Sequence, residues 1–137
     1  MPVSYLIDAR NRIVFSRAWG VLSDREIIAH ADALKSDPNF DRGLRQVGSF
    51  LDVNAILLTS AAIRAVAQDN PFPRDARRAF AVPSDEAYGL ARMFCLYLDA
   101  DPKQFEIFRA LAPAMEWVGL KPADLWPMKT PDRMFGS

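Results

Sequence analysis

The sequence predicts a single α/β domain, a mixed sheet of about five strands with four helices in the order β-β-α-β-α-β-α-β-α. Three observations carry this expectation. Two strand-like runs near the N-terminus are separated only by Asp8-Ala9-Arg10-Asn11, a hairpin spacing. Beyond them, apolar runs of strand length alternate with segments of helical periodicity, the signature of strands joined by crossover helices. Capping or breaking residues mark the helix ends, so the segments have edges as well as periods.

Ser4 to Asp8 and Arg12 to Trp19 form the hairpin, with Ile13, Phe15 and Arg17 on one face and Val14, Ser16 and Ala18 on the other. Gly20 is expected to end the second strand. Ser23-Asp24-Arg25-Glu26 has the form of a capping box, in which the Ser23 hydroxyl accepts from the Glu26 amide. The first helix then runs to about Ser36, with Ile27, Ala31 and Leu34 on its apolar stripe, and Asp37-Pro38 stops it. Gln46 to Val53 is the third strand. Thr59 or Ser60 caps a second helix that reaches about Gln68, before the break Asp69-Asn70-Pro71-Phe72-Pro73.

Arg77 to Val82 is the fourth strand, with Ala79 and Ala81 on one face and Phe80 and Val82 on the other. Ser84 caps a third helix whose first turn carries Asp85 and Glu86, favourable at the positive end of the helix dipole. Phe105 to Phe108 is a short fifth strand, and Ala112 to Val118 a fourth helix stopped by Gly119. The domain is assigned to residues 1–120. Residues 121–137 are a proline-rich tail whose apolar residues either dock on the domain or a neighbour, or leave it a partly disordered end. The strand runs are apolar on both faces only in part, so one sheet face should be well covered and the other more thinly, or by a second copy.

Lys+Arg and Asp+Glu both number 17, and the formal net charge is zero. A polyanion or an anionic membrane is therefore not the expected partner, and no nucleic-acid binding is expected. The single cysteine, Cys95, excludes internal disulfides and suits a cytoplasmic protein. No run resembles a signal peptide or approaches the roughly 20 residues of a membrane span.

Catalytic constellations are missing from the pattern. His30, the only histidine, sits at the edge of the first helix's apolar stripe and reads as a boundary residue. Cys95 reads as a small apolar side chain inside the third helix. One His and one Cys at no ligand spacing give no metal site, and no glycine-rich phosphate cradle or cofactor motif is present. Two sets of binding candidates stand out. Thr59 and Ser60, at a helix start, together with Arg77, Arg78 and Arg92 (and, further off, Arg64 and Arg74), could converge on an anion. Tyr88, Gly89, Met93 and Phe94 on the third helix, with Trp117 and Trp126, could line an apolar pocket or an interface; Gly89 could equally serve close helix–sheet packing.

The opening hairpin ending in Trp19-Gly20 and the strand Phe50-Leu51-Asp52-Val53 before the Thr59-Ser60 helix start belong to a larger pattern. They are followed by Arg78-Ala79-Phe80-Ala81-Val82, Tyr88-Gly89-Leu90-Ala91-Arg92-Met93, and Phe108-Arg109 with Ala114-Met115-Glu116-Trp117. In this order and spacing, from Ser4 to Leu120, the chain resembles the SpoIIAA-like branch of the STAS superfamily. The resemblance implies a bacterial single α/β domain with a mixed sheet, and some such domains are described as similar to lipid-binding domains of the CRAL-TRIO type. In anti-sigma-factor antagonists of the superfamily, an Asp-Ser-Ser-Gly-like run before this helix carries a phosphorylated serine. The matching run here is Thr59-Ser60-Ala61-Ala62, with alanine at the acceptor position and at the glycine. Ser60, or less readily Thr59, could still be modified, though capping explains both hydroxyls, and the antagonist role is not expected.

These readings favour a non-catalytic regulatory domain acting through a protein partner or as a homodimer. The alternative is a binder of a small apolar or lipid-like ligand whose head an arginine would meet.

Overall fold

The computed structural model describes residues 2–121; the expectations placed on Trp126 and on the tail fall outside the described residues. Nine elements follow the predicted order: β1 (Val3–Asp8), β2 (Ile13–Ser23), α1 (Asp24–Ser36), β3 (Arg45–Leu57), α2 (Ser60–Gln68), β4 (Arg78–Ala81), α3 (Asp85–Leu98), β5 (Phe105–Phe108) and α4 (Leu111–Trp117). The five strands form one mixed sheet in sequential order, β1 antiparallel to β2 and all later neighbours parallel. The hairpin turn is tied by the Asp8 carboxylate, which accepts from the amides of Arg10 and Asn11 at 3.0 and 3.2 Å.

Each crossover steps to the next strand in the same direction. The right-handed rule therefore sends α1, α2 and α3 to one face of the sheet. There Leu34 packs with Val14, and Ala87 and Ala91 with Phe80, Val82 and Phe105. On the opposite face α4 is the only helix among the described residues, and Ala114, Met115 and Val118 bury Ile13, Phe15, Val47, Ala79 and Ala81. Gly119, at φ +86°, ends α4: its amide bonds to the Glu116 carbonyl at 2.9 Å and the Leu120 amide to Met115 at 3.0 Å, the paired bonds of a Schellman turn.

Three local expectations need correction. Gly20 does not end β2. At φ +66° it lies within the strand beside a register shift, and pairing resumes from Val21 to Ser23 against Ala55 to Leu57. β3 consequently runs four residues past Val53 to Leu57 and carries two extra residues relative to β2, one between Ser49 and Asp52 and one between Val53 and Ala55. Ser23 stands at the N-cap of α1, but its hydroxyl is bonded to the Glu26 carboxylate instead of the Glu26 amide. Of the two expected cap candidates it is Thr59 that caps α2, its Oγ1 accepting from the Ala62 amide at 3.1 Å. Ser84 caps α3 as expected, accepting from Ala87 at 3.1 Å. No helix among the described residues is long and apolar enough to cross a membrane.

Candidate functional site

The face of the sheet beneath α1–α3 is polar at one end and apolar at the other. Inward positions along β2 read Ser16, Ala18, Leu22; along β4 they read Arg78, Phe80, Val82. β3 contributes Gln46, Gly48 and Phe50, then Val53 and Ile56, because each extra residue moves the inward set on by one place. Polar side chains thus gather near the amino-terminal ends of β3 and β4, and everything beyond them is apolar.

A cavity of about 150 Å3 lies between this sheet face and the three helices. Its walls are almost entirely apolar, with Ala31 and Leu34 from α1, Ile63 and Val66 from α2, and Leu90 and Phe94 from α3. Such a hollow is unusual in an interior packed as densely as proteins normally are. An engineered cavity of about this size in another protein stays dry and admits benzene.

The polar end is a continuous chain of hydrogen bonds. His30 Nε2 lies 3.1 Å from Ser16 Oγ, and Gln46 Nε2 donates to the same oxygen at 3.1 Å. Arg78 Nε donates to Gln46 Oε1 at 2.9 Å, and Arg78 Nη1 to Asn70 Oδ1 at 3.0 Å. Ser16, Gln46 and Arg78 are only 5, 3 and 5 % exposed. The Arg78 guanidinium is ringed by Phe72, Phe105, Phe94 and Phe80, at 4.2, 5.2, 5.6 and 5.9 Å from its carbon to the ring centroids. None of the ion pairs among the described residues involves it. Burial pulls its pKa down to about 9, which still leaves it charged at neutral pH. Burial, and then the nearby Arg78 charge, push His30 down to about 4, so its imidazole is neutral. Cys95, packed beside Phe80 and Phe105, is held at about 11 chiefly by burial and is a thiol.

The first set of predicted site residues does not converge. Arg77 points to the other side of the sheet, where Nε donates to the Trp117 carbonyl at 2.9 Å, Nη1 to Gln104 at 3.2 Å, and the guanidinium lies 3.8 Å over the Trp117 ring. Arg92 is exposed. Arg64 rests over Tyr97. The start of α2 is occupied by a carboxylate: Asp24 accepts from the Thr59 amide at 2.8 Å and from its hydroxyl at 2.7 Å. An anion there would meet like charge instead of open amides. Of this set only Arg78 enters the cavity; Ser60 is exposed.

The second set divides as well. Phe94 lines the cavity, stacked 5.9 Å from Phe80, and Tyr88 packs on the same aromatic cluster. Met93 is half-buried outside the cavity. Gly89 is exposed, and a Cβ there would meet nothing within 4 Å, so it serves neither close packing nor the pocket. Trp117 lies on the α4 face. Ser16, Gln46 and Asn70 carry no role expected from the sequence, and His30, a partly buried boundary residue as expected, meets Ser16 at the edge of the cavity. The available signal was polar side chains at inward strand positions, on the same alternation as Val14, Phe80 and Val82.

No protein-family model matches the chain, and no curated protein matches it. Among solved structures, it is similar to an uncharacterized protein from the DUF3478 family with a SpoIIAA-like fold, from Shewanella loihica PV-4. The two share 13% identity at a TM-score of 0.57, over 85% of this chain and 93% of the other. At that identity the likeness establishes the SpoIIAA-like fold and nothing finer.

Proposed function

We propose that this SpoIIAA-like fold is a non-catalytic binding domain that holds a compact apolar or amphipathic small molecule between its sheet and α1–α3. The observation that carries the reading is the apolar cavity of about 150 Å3. Empty apolar space forfeits packing contacts at a cost of roughly 24 cal/mol per Å3, and a ligand would restore them. Binding sites of small molecules are typically concave, mostly apolar hollows with few polar groups, as here. His30 and Ser16 stand at the spacing of a base and a nucleophile, but no hydrogen bond among the described residues orients the other ring nitrogen of His30, and an imidazole pushed down to about 4 is a weak base.

Native mass spectrometry of freshly purified protein, repeated after denaturation, tests this together with thermal shifts in neutral alcohols from butan-1-ol to decan-1-ol. A ligand at a hundred times its Kd stabilises by about 2.7 kcal/mol, which moves the melting temperature by several degrees. Alcohols of intermediate length should give the largest shift. No retained mass and no shift at any length would reject the reading.

Contact with a protein partner or a second copy is the second reading, favoured by Leu96, 78 % exposed, next to exposed Tyr97 on the outer surface of α3. Sedimentation equilibrium of wild type and Leu96→Glu tests it. Association that the substitution weakens supports it, and a monomer at all concentrations rejects self-association.

A further inference from the structure

We propose that the polar end of the cavity is a carboxylate site, with Arg78 Nη2 as the principal donor, so that the ligand is a monocarboxylic acid with a compact apolar body. The proposal rests on the cavity-binding reading above and specifies its chemistry.

Arg78 offers five N–H donors. Its Nε and Nη1 are satisfied by Gln46 and Asn70, both neutral amides. Its Nη2 has no hydrogen-bond partner among the described residues. A buried cation is normally paired with an anion, because an uncompensated charge loses its hydration without return. The other buried arginine follows that rule in its charge: Arg17 Nη2 meets Asp52 at 2.9 Å, while Arg17 Nη1 is buried with no hydrogen-bond partner. Arg78 does not, although it is at least as deeply buried. The aromatic rings around it supply quadrupole attraction but no counter-charge. The titratable groups nearest in effect are a neutral imidazole, His30, and an un-ionised thiol, Cys95, and neither balances it.

The position of the charge points the same way. Arg78 lines the apolar cavity at its polar end, and together with Asn70 and Phe72 it also lines a second hollow of about 200 Å3, whose wall carries Arg74 and Asp99 as well, Asp99 making no ion pair with it. Arg78 therefore borders open space on two sides, and its unbonded Nη2 is not among the fully sealed polar atoms of the described residues. An anion placed there gains a charge-assisted hydrogen bond in a region of low dielectric. Behind the guanidinium, the bonds to Gln46 and Asn70 fix its plane, and Gln46 is itself held by Ser16. The cavity departs from this end along β2, β3 and β4 over mostly apolar residues, Arg17 and Ser49 being the polar exceptions, so a bound acid would lie with its head at Arg78 and its body toward Val53 and Val82. The volume suits a body of about six non-hydrogen atoms, an aryl ring or a short alkyl chain.

Isothermal titration of the full chain with hexanoate, hexan-1-ol and hexylamine at pH 7 tests the proposal. Hexanoate should bind about tenfold or more tighter than hexan-1-ol, and hexylamine weakest of the three. Arg78→Met should abolish the preference for the acid while hexan-1-ol still binds; Arg78→Lys should retain part of it. A second measurement needs no variant. The single histidine gives one imidazole NMR titration, and bound hexanoate should raise its pKa while bound hexan-1-ol should not, because only the acid offsets the Arg78 charge. Equal affinity for acid and alcohol, an acid preference that survives Arg78→Met, or a His30 titration unmoved by hexanoate would each overturn the carboxylate site while leaving the cavity reading intact. Binding of neither acid nor alcohol would overturn both.

Discussion

Replacing Phe80 by alanine should cost about 3–5 kcal/mol of folding stability, the range for deleting a buried aromatic ring. Phe80 is 9 % exposed and sits at the centre of an aromatic cluster, edge-on to Phe50 at 5.2 Å and to Phe105 at 4.9 Å, and stacked with Phe94 at 5.9 Å. Pairs of this kind add about 0.5–1.5 kcal/mol each beyond area burial. The ring also fills the space left by Gly48 on the neighbouring strand: a Cβ there would come within 3.0 Å of it. The surroundings are poorly placed to collapse into the gap, because Phe80 already borders the 150 Å3 cavity and its loss would simply enlarge that space. The upper half of the range is therefore expected. Urea unfolding followed by tryptophan fluorescence and circular dichroism measures it. A cost below about 1 kcal/mol would mean that the cluster repacks freely, and that the cavity is not held open by a rigid frame.

The element order was legible because each signal that set it is local. The four-residue hairpin spacing, the Asp37-Pro38 stop, the Ser84 cap and the Gly119 stop all act within one turn of chain, and the structure places each where the residues imply. Strand lengths were harder. Gly20 is a breaker by composition, yet its left-handed φ is what carries β2 past an irregularity, and that choice depends on pairing with a strand 30 residues away. The same irregularity hid half of the cavity floor. Phe50, Val53 and Ile56 fall on one face at a spacing of three, which no period of two identifies.

Of the polar end of the site only Arg78 is legible in the sequence, as Phe94 is of its apolar wall. Charge alone groups Arg78 with its sequence neighbours, but adjacent strand residues point to opposite faces, which sends Arg77 to Trp117 and Arg78 to the cavity. The alternation that paired Phe80 with Val82 reaches Arg78 one step earlier, and had it been followed the buried charge would have been found. Ser16 and Gln46 could be recognised only with the register in hand, since their meeting is a diagonal contact between neighbouring strands. Asn70 lies in a loop, and its side chain also pins the Phe72 backbone, with contacts of 2.8 and 3.2 Å, before it meets Arg78.

Folding stability should fall by up to about 2.5 kcal/mol between pH 6.5 and pH 4, with His30 the largest contributor. In the folded chain burial and the Arg78 charge bring its pKa from 6.5 down to about 4. The unfolded chain therefore binds more protons than the folded one throughout that window, and stability rises with pH wherever that holds. The contribution is fully present above pH 6.5 and is lost as pH falls through the window toward the folded value. The limiting slope is about 1.4 kcal/mol per pH unit. The imidazole is fixed by Ser16 at 3.1 Å and by the edge of the Tyr5 ring, 5.5 Å between centroids, so protonation cannot be relieved by a small rotation. Other shifted groups act elsewhere: Asp41, lowered by the Gly43 amide and Arg12, titrates below this window, and Tyr5, raised to about 12 by burial and Asp37, far above it. Urea midpoints at half-unit pH steps measure the slope, and His30→Gln, which keeps a polar group toward Ser16, should flatten it. A flat wild-type profile, or a slope unchanged in the variant, would place His30 in solvent instead of against Ser16. Because the same Arg78 charge depresses His30 and awaits a counter-ion in the cavity, a bound carboxylate should also reduce the acid loss, which links the stability of the fold to the occupancy of its proposed site.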